Sequence, residues 1–310
     1  MNIVVTGSSG FIGNNLVAFL NLNHHVIGLD RLEGNNTKIQ IDCKSKNLKD
    51  TLNWEKIDLV IDCAAKTDLD GKTINDYNDN YVIIDRLIQI CNNHQIKLIA
   101  FSSMLVNELP LNDAIDFNFY NPSTIYGQSK VLYEKKLKRK SKSYILVRPT
   151  SIWGPGFKEP YKNFFEYVID GKFFVSDKSI VKTYCYIENL IQQILVLVKD
   201  YEKYKFSHQY FIDGNYNIFD WAKLIKLKSG NTKRKIILVP KPFFYFVCLI
   251  GDYIRIFIKK FPLNTFRFKN LNTNNIIDIK YSLFSKQNKI FSISEGVVKT
   301  LIHLNKINKC

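Results

Sequence analysis

Tyr126 and Lys130 stand four residues apart in the run Ser123-Thr124-Ile125-Tyr126-Gly127-Gln128-Ser129-Lys130. On a helix that spacing puts both side chains on one face, so the ammonium can lie beside the phenol. A free tyrosine titrates at about 10, too high for efficient acid or base work at neutral pH, and an adjacent cation lowers that value. Taken alone the pair is common, and a solvent-facing tyrosine and lysine is the simpler reading. Ser102-Ser103 changes the balance, because it directly follows the apolar run 97–101, and open α/β sheets bind ligands beyond the carboxyl ends of their strands.

A second group is Gly7, Gly10 and Gly13, in Thr6-Gly7-Ser8-Ser9-Gly10-Phe11-Ile12-Gly13 between the apolar run 1–5 and a helical stretch over 14–22. Glycine there allows a tight turn and lets backbone N–H groups approach a pyrophosphate, with the helix N-terminus adding unpaired donors. The spacing is G-x-x-G-x-x-G, where the better-known fingerprint is G-x-G-x-x-G, and a glycine turn that only packs helix on strand is the alternative. Asp30 closes a second strand over 25–29, about where a ribose-binding carboxylate is needed. It would accept from an adenosine 2′-hydroxyl and repel a 2′-phosphate, which favours NAD. Arg31 could accommodate that phosphate, which leaves NADP open.

Both groups need parallel strands to hold them. Strand patterns at 1–5, 25–29, 59–61, 97–101 and 144–147 alternate with helical ones at 14–22, 82–91 and 129–138. The expected fold class is α/β, a Rossmann-type doubly wound parallel sheet with covered faces and right-handed crossovers. Trp153-Gly154-Pro155-Gly156 interrupts the pattern. Residues 1–155 are therefore expected to form an NAD(P)-binding domain, which a segment near 181–213 rejoins. Residues 156–310 are expected to form mainly a smaller, mixed, substrate-binding domain. The stretch 243–250 is apolar all round and too short to span a bilayer. A buried helix is expected there, the alternative being an interfacial helix with Arg255, Lys259 and Lys260.

Bulk properties narrow the partners. The 310 residues are 46% hydrophobic and 23% charged, values of an ordinary globular chain. Six cysteines (Cys43, Cys63, Cys91, Cys185, Cys248, Cys310) form no C-x-x-C pair, and the chain opens directly into a strand. This reads as a reduced, cytoplasmic protein with no metal site. The net charge of +16 could serve nucleic acid, a membrane or an anionic substrate. Lysine far exceeds arginine, and Asn, Ile, Phe and Tyr are abundant, so the excess reads mainly as compositional bias. Lys135 to Lys142 reads as a solvated helix end. No nucleic-acid recognition motif is visible, and no stable membrane insertion is expected.

In order along the chain, these motifs resemble the extended short-chain dehydrogenase/reductase family of nucleotide-sugar epimerases, dehydratases and reductases. Residues 6–13 are similar to its T-G-x-x-G-F-I-G loop, and Asp58-Leu59-Val60-Ile61-Asp62-Cys63-Ala64-Ala65 to its D-x-V-x-H-x-A-A strand. Ser102-Ser103-Met104-Leu105-Val106 resembles S-S-x-x-V, and Tyr126 with Lys130 matches Y-x-x-x-K. The run from Arg148-Pro149 to Gly156 resembles R-P-x-x-x-Y-G-P-G, and Lys182 to Asn189 resembles R-x-F-x-Y-V-x-D. The resemblance covers about the first 190 residues. It implies Ser103, Tyr126 and Lys130 as the catalytic set, with Lys130 lowering the tyrosine pKa and holding the nicotinamide ribose. It further implies Gly7, Ser9, Gly10, Phe11, Ile12, Gly13, Asp30, Arg31, Asp42, Cys43, Ala64, Ala65, Lys66, Asn80 and Pro149 at the cofactor, alongside Tyr126 and Lys130. Ser103, Trp153 and Lys182 are implied at the substrate, and a homodimer through the helices carrying Tyr126 and residues 82–91.

Departures from the family pattern carry information. Met104 and Leu105 stand where sugar 4,6-dehydratases place an acidic pair, and neither can move a proton, which argues against dehydration. Asn107 replaces a frequent Tyr, Asp62 a frequent His, and Lys182 an Arg that grips a diphosphate, losing its bidentate fork. The resulting expectation is hydride transfer at one carbon of a nucleotide-activated sugar, as a 4-epimerase or 4-ketosugar reductase in surface polysaccharide synthesis. The competing readings are an alcohol or hydroxysteroid-type dehydrogenase and a non-catalytic dinucleotide-binding regulator.

Overall fold

The computed structural model describes residues 1–108, 116–231, 235–258, 261, 263–283 and 290–306. The chain opens β1 (Asn2–Thr6), α1 (Phe11–Leu20), β2 (His25–Asp30), β3 (Ile39–Gln40), β4 (Leu59–Asp62), α2 (Asn78–His94), β5 (Lys97–Phe101), α3 (Ile125–Lys140) and β6 (Ile145–Pro149). It continues β7 (Ser151–Trp153), α4 (Tyr161–Ile169), β8 (Phe174–Val175), β9 (Val181–Tyr186), α5 (Ile187–Lys199), α6 (Tyr201–Tyr204) and β10 (His208–Phe211). It closes β11 (Gly214–Asn217), α7 (Ile218–Lys228), β12 (Ile237–Leu238), α8 (Lys241–Phe257), α9 (Thr265–Leu271) and α10 (Ile293–His303).

Two compact units emerge, and the first holds both chemical motifs. It comprises Met1–Ile152, Ile187–Asp213 and Asp278–Ile290. Its seven strands run in the order β10-β6-β5-β4-β1-β2-β3, every pair parallel. Ile3, Val4 and Val5, Leu59 to Ile61, and Ile145 to Val147 have no exposed surface. Unbroken apolar runs of this kind are what a strand covered on both faces requires. On one face α2 and α3 pack through Ile84, Leu87, Ile88, Tyr133 and Leu137 against Val4, Val60, Leu98 and Leu146. The returning segment begins at Ile187 and contributes α5 and β10, and a second return at Asp278 has no counterpart in the sequence pattern.

The second unit comprises Trp153–Tyr186, Gly214–Ile277 and Phe291–Cys310. It carries a three-stranded sheet, β11-β9-β7, and the short parallel pair β12-β8. Trp153, Phe165, Tyr184 and Trp221 interlock with centroid spacings of 4.7 to 5.9 Å. Stretch 243–250 corrects the expectation of a buried helix. Within α8 only Phe244, Cys248 and Gly251 are buried, whereas Phe243, Phe246, Ile250, Tyr253 and Phe257 are exposed. All-apolar composition hides this amphipathicity, since burial follows which face meets a neighbour. Cys43, Cys63, Cys91, Cys185 and Cys248 are free thiols, and Cys310, Lys259 and Lys260 lie outside the described residues.

Beneath the sheet's carboxyl end, Arg148 of β6 and Glu134 of α3 form an ion pair with no exposed surface. Its two hydrogen bonds measure 2.7 Å (Nη2 to Oε2) and 2.9 Å (Nε to Oε1). Ser102 and Tyr120 donate to the same carboxylate at 2.6 and 3.0 Å. Removing one partner of such a pair strands the other charge. Glu134→Gln is therefore expected to cost about 3–5 kcal/mol, read as a lowered midpoint in urea denaturation with an unchanged slope.

Candidate active site

β1 ends at Thr6, and Gly7 turns the chain with φ +69, a left-handed conformation that favours glycine. A Cβ on Gly7 would come within 2.7 Å of the Cys63 carbonyl, and one on Gly13 would collide with the Gly7 carbonyl oxygen. The loop is thus shaped by what is missing from its glycines. Gly10 is the N-cap of α1 and offers no side-chain acceptor, and the first turn holds no acidic residue. The helix start therefore keeps its donors and its positive dipole end for an anion. Asp30, at the end of β2, accepts from Ser9 N and Leu32 N, both at 3.0 Å, which ties the carboxylate to the glycine loop. Arg31 turns to Asp79, with Nη1 3.1 Å from its carboxylate, and Lys44 reaches the same aspartate at 2.8 Å.

At the end of β4, Asp62 is buried and accepts from Thr6 Oγ1 at 2.5 Å and from the Tyr133 hydroxyl at 2.8 Å. Burial raises its pKa, against the pull of those hydrogen bonds and of Lys130. Ala64, Ala65 and Lys66 follow, half-buried. Asn80, in the first turn of α2, clamps this loop. Its Oδ1 accepts from Lys66 N at 2.8 Å, and its Nδ2 donates to Lys66 O and Ser129 Oγ, both at 3.0 Å. Ser129 in turn donates to Tyr126 O at 2.7 Å. Asp42 is partly exposed, with Oδ1 accepting from Lys44 N, but Cys43 lies in the core cluster, so only its backbone can meet a ligand. Pro149 is half-buried at the end of β6.

The structure brings Ser103 and Tyr126 together. Ser103 caps the short 3-10 turn Met104–Val106, accepting from Leu105 N at 3.1 Å, and its hydroxyl lies near enough to the Tyr126 phenol to pull that group's pKa down. α3 starts one residue before Tyr126, with Thr124 Oγ1 accepting from Gly127 N at 3.0 Å. A Cβ on Gly127 would collide with the Leu105 carbonyl oxygen, so this glycine lets the tyrosine helix press onto the serine turn. Burial pushes the Tyr126 phenol up to about 12, and the Ser103 hydroxyl opposes that rise.

Lys130 departs from expectation. Its Nζ donates to Phe101 O at 2.9 Å and lies 4.3 Å from the centroid of the Tyr133 ring. Burial pushes it down to about 8, with Asp62 the largest charge holding it up. It is not among the groups that lower Tyr126, so in this structure the serine does that work.

The substrate-side expectations need correction. Trp153 has no exposed surface and belongs to the aromatic core of the second unit, and a side chain without surface cannot line a binding wall. Lys182 on β9 is 8% exposed, and its Nζ is taken by the backbone carbonyl and side-chain oxygen of Asn270. Arg148, the first residue of the R-P motif, is spent on Glu134. Asn107 is buried and accepts from Asn121 N at 2.8 Å, a structural tie for the serine turn. Sequence reasoning passed over Gly127, Tyr133 and Glu134. The glycine inside Y-G-x-x-K was the one visible signal, and the other two became meaningful only as neighbours of Asp62 and Arg148.

Residues 3–212 match the family model described as the NAD dependent epimerase/dehydratase family. Among curated proteins, a putative UDP-glucose 4-epimerase of Methanocaldococcus jannaschii is 27% identical over 171 residues, 49% of this chain and 56% of that protein. The chain spans about half the length of the curated relatives it matches. Among solved structures, a UDP-glucose 4-epimerase with UDP-glucose from Thermotoga maritima superposes with TM-score 0.74 at 18% identity, covering 99% of both chains. A UDP-glucuronic acid 4-epimerase from Bacillus cereus in complex with NAD gives 0.73 at 18% identity, covering 99% of this chain and 97% of that one. At such identities these two show the fold.

The glycine loop generates a test that separates ligand binding from helix stability. Alanine suits a helix better than glycine by about 1 kcal/mol, so Gly13→Ala should leave α1 formed. Its methyl group meets the Gly7 carbonyl, and dinucleotide affinity by calorimetry is expected to fall about tenfold or more, equivalent to about 1.4 kcal/mol. Unchanged affinity would remove the loop from the site.

Proposed function

Because the chain belongs to the NAD dependent epimerase/dehydratase family, we propose that it is an enzyme performing reversible redox chemistry at one carbon of a nucleotide-activated sugar. The reaction is that of a 4-epimerase or of a 4-ketosugar reductase, with surface polysaccharide synthesis as its setting. The observation that carries this reading is the approach of the Ser103 hydroxyl to the Tyr126 phenol beyond β5, with Met104 and Leu105 beside it. A hydroxyl and a phenol handle the proton of one oxygen, and the two apolar neighbours provide no acid or base for eliminating water.

The first unit fits a dinucleotide. The Gly7 to Gly13 backbone would hold the pyrophosphate, and Asp30 the adenosine ribose. Ala64, Ala65, Lys66 and Asn80 would line the adjoining wall, with Lys130 and Pro149 at the nicotinamide end. Asp30 with Arg31 drawn off to Asp79 supports NAD over NADP. When bound, the dinucleotide supplies the hydride acceptor and donor. Tyr126 then moves the proton at the substrate oxygen while Ser103 hydrogen-bonds that oxygen and the phenol. With its pKa up to about 12, Tyr126 is protonated at neutral pH and can act as acid directly. Acting as base requires loss of that proton, which Ser103 eases and a neighbouring cation would ease further.

Bound dinucleotide released by denaturation and identified by mass spectrometry, followed by assay on UDP- and GDP-sugars and their 4-keto forms, tests the proposal. Interconversion with no net change at the nicotinamide band identifies an epimerase, and stoichiometric loss of reduced dinucleotide identifies a reductase. Tyr126→Phe is expected to lower turnover by about 10²–10⁴-fold with dinucleotide retained. Turnover untouched by Tyr126→Phe, or none on any sugar, would overturn it. A homodimer through α2 and α3 belongs to the same proposal, and ultracentrifugation showing only monomer at micromolar concentration would contradict it.

A further inference from the structure

The chain's positive charge is concentrated in the second unit. Residues 221–271 hold twelve Lys and Arg against one acidic residue, Asp252, and so contribute 11 of the net 16 positive charges. Residues 233, 234, 259 and 260 lie outside the described residues and enter only as charge. Bias spread over the whole chain does not produce such a block, which corrects the compositional reading.

The same segment carries an exposed apolar face. Phe243, Phe246, Ile250, Tyr253 and Phe257 of α8 are 46–86% exposed. Their spacing of three and four residues puts them on one stripe about 21 Å long. The opposite side of the helix is satisfied. Phe244 stacks edge-on against Phe174 at 5.0 Å and Phe268 at 5.2 Å, and Gly251 sits where a Cβ would strike the Leu263 carbonyl oxygen. Asp252 accepts from Thr265 N, so the lone acid is turned to the α9 side.

An open groove adjoins this helix. It is lined by Phe219, Leu227, Ile236 and Leu238 and rimmed by Lys223, Lys226 and Lys235. Leu238 stands three residues before α8 begins, on β12, which pairs with the β8 strand that holds Phe174. Apolar floor and cationic rim thus run together from α7 to β12, the strand that leads into α8.

We propose that this face docks the protein on an anionic lipid surface, with the α8 stripe lying in the headgroup and acyl boundary and the lysine-rimmed groove taking acidic headgroups. Phenylalanine and tyrosine are suited to that boundary, and clustered lysines are drawn to acidic leaflets. The charge decides against the other occupants. A second copy would bring the same positive block onto the first, and a nucleic acid would satisfy the lysines and leave the aromatic stripe in water. No described helix is long and apolar enough to cross a membrane, so the contact is peripheral.

Co-sedimentation of the full chain with vesicles tests this, using phosphatidylcholine alone or mixed with phosphatidylglycerol. Binding is expected on the mixed vesicles, about tenfold or more weaker on phosphatidylcholine, and weakened by salt. Phe246→Glu with Phe257→Glu should abolish it. Lys226→Glu with Lys235→Glu should weaken it and flatten its salt dependence. All four positions are at the surface, and an unchanged unfolding midpoint verifies the fold. No binding to mixed vesicles, or binding indifferent to the phenylalanine pair, overturns the proposal. Dissociation of a dimer by the phenylalanine pair, with vesicle binding intact, would instead assign the stripe to a second copy. Retention of single-stranded RNA without vesicle binding would assign the charge to nucleic acid.

Discussion

The buried pair of Arg148 and Glu134 locates α3, the helix that carries Tyr126. Two charges with no exposed surface each cost several kcal/mol to desolvate, which only close geometry and complete hydrogen bonding offset. Here the carboxylate takes both forks of the guanidinium and also the hydroxyls of Ser102 and Tyr120. The guanidinium reaches Tyr210 and the Phe117 carbonyl as well. Ser102 precedes Ser103, and Glu134 lies two turns along from Tyr126. One ion pair therefore fixes, from below, the separation of the strand end carrying Ser103 and the helix carrying Tyr126. Gly127 completes the approach from above, where any side chain would push the serine turn away.

The nucleotide side is tied to the same helix. Asp62 binds Thr6, the last residue of β1 before the glycine loop, and Tyr133, on α3. Asn80 clamps the Ala64 to Lys66 loop to Ser129, which holds the Tyr126 carbonyl. These polar bridges cross the sheet's carboxyl edge, where the strand ends leave backbone groups unpaired, and they convert separate loops into one frame. An aspartate at position 62, where a histidine is frequent, suits this role because a buried carboxylate can accept three hydrogen bonds at once.

What was legible in the sequence was what depends on local pattern. The parallel strands declared themselves as short apolar runs, the strand-to-helix turn as closely spaced glycines, and Tyr126 and Lys130 as neighbours on one helix face. Long-range packing was not legible. Trp153 was placed at the substrate by resemblance, in a run that Gly and Pro mark as a loop, yet the rings of Phe165, Tyr186, Tyr216 and Trp221 enclose it. Lys182 looked like a diphosphate ligand because it stands where an arginine is frequent, and Asn270, eighty-eight residues later, takes its ammonium. An eight-residue apolar stretch says nothing about which face of its helix finds a neighbour, and in α8 half of it does not.

Lys130 shows how a motif can be right in position while its physics differs. The four-residue spacing does put it on the face of Tyr126, but its ammonium turns to the Phe101 carbonyl and the Tyr133 ring, above buried Asp62. Burial works against all three ionised forms, raising the phenol and the carboxyl and lowering the ammonium. Asp62 and Lys130 support each other's charge, whereas Tyr126 has only a serine hydroxyl. The resting site is therefore a phenol beside a cation held by other groups. Reduction of a ketosugar can start from that state, since it consumes a proton that Tyr126 already carries. Oxidation of a sugar hydroxyl needs the phenol deprotonated first. The two candidate reactions lean on the titration of Tyr126 in opposite directions, and the placement of Ser103 and Lys130 around it sets how far each can run at neutral pH.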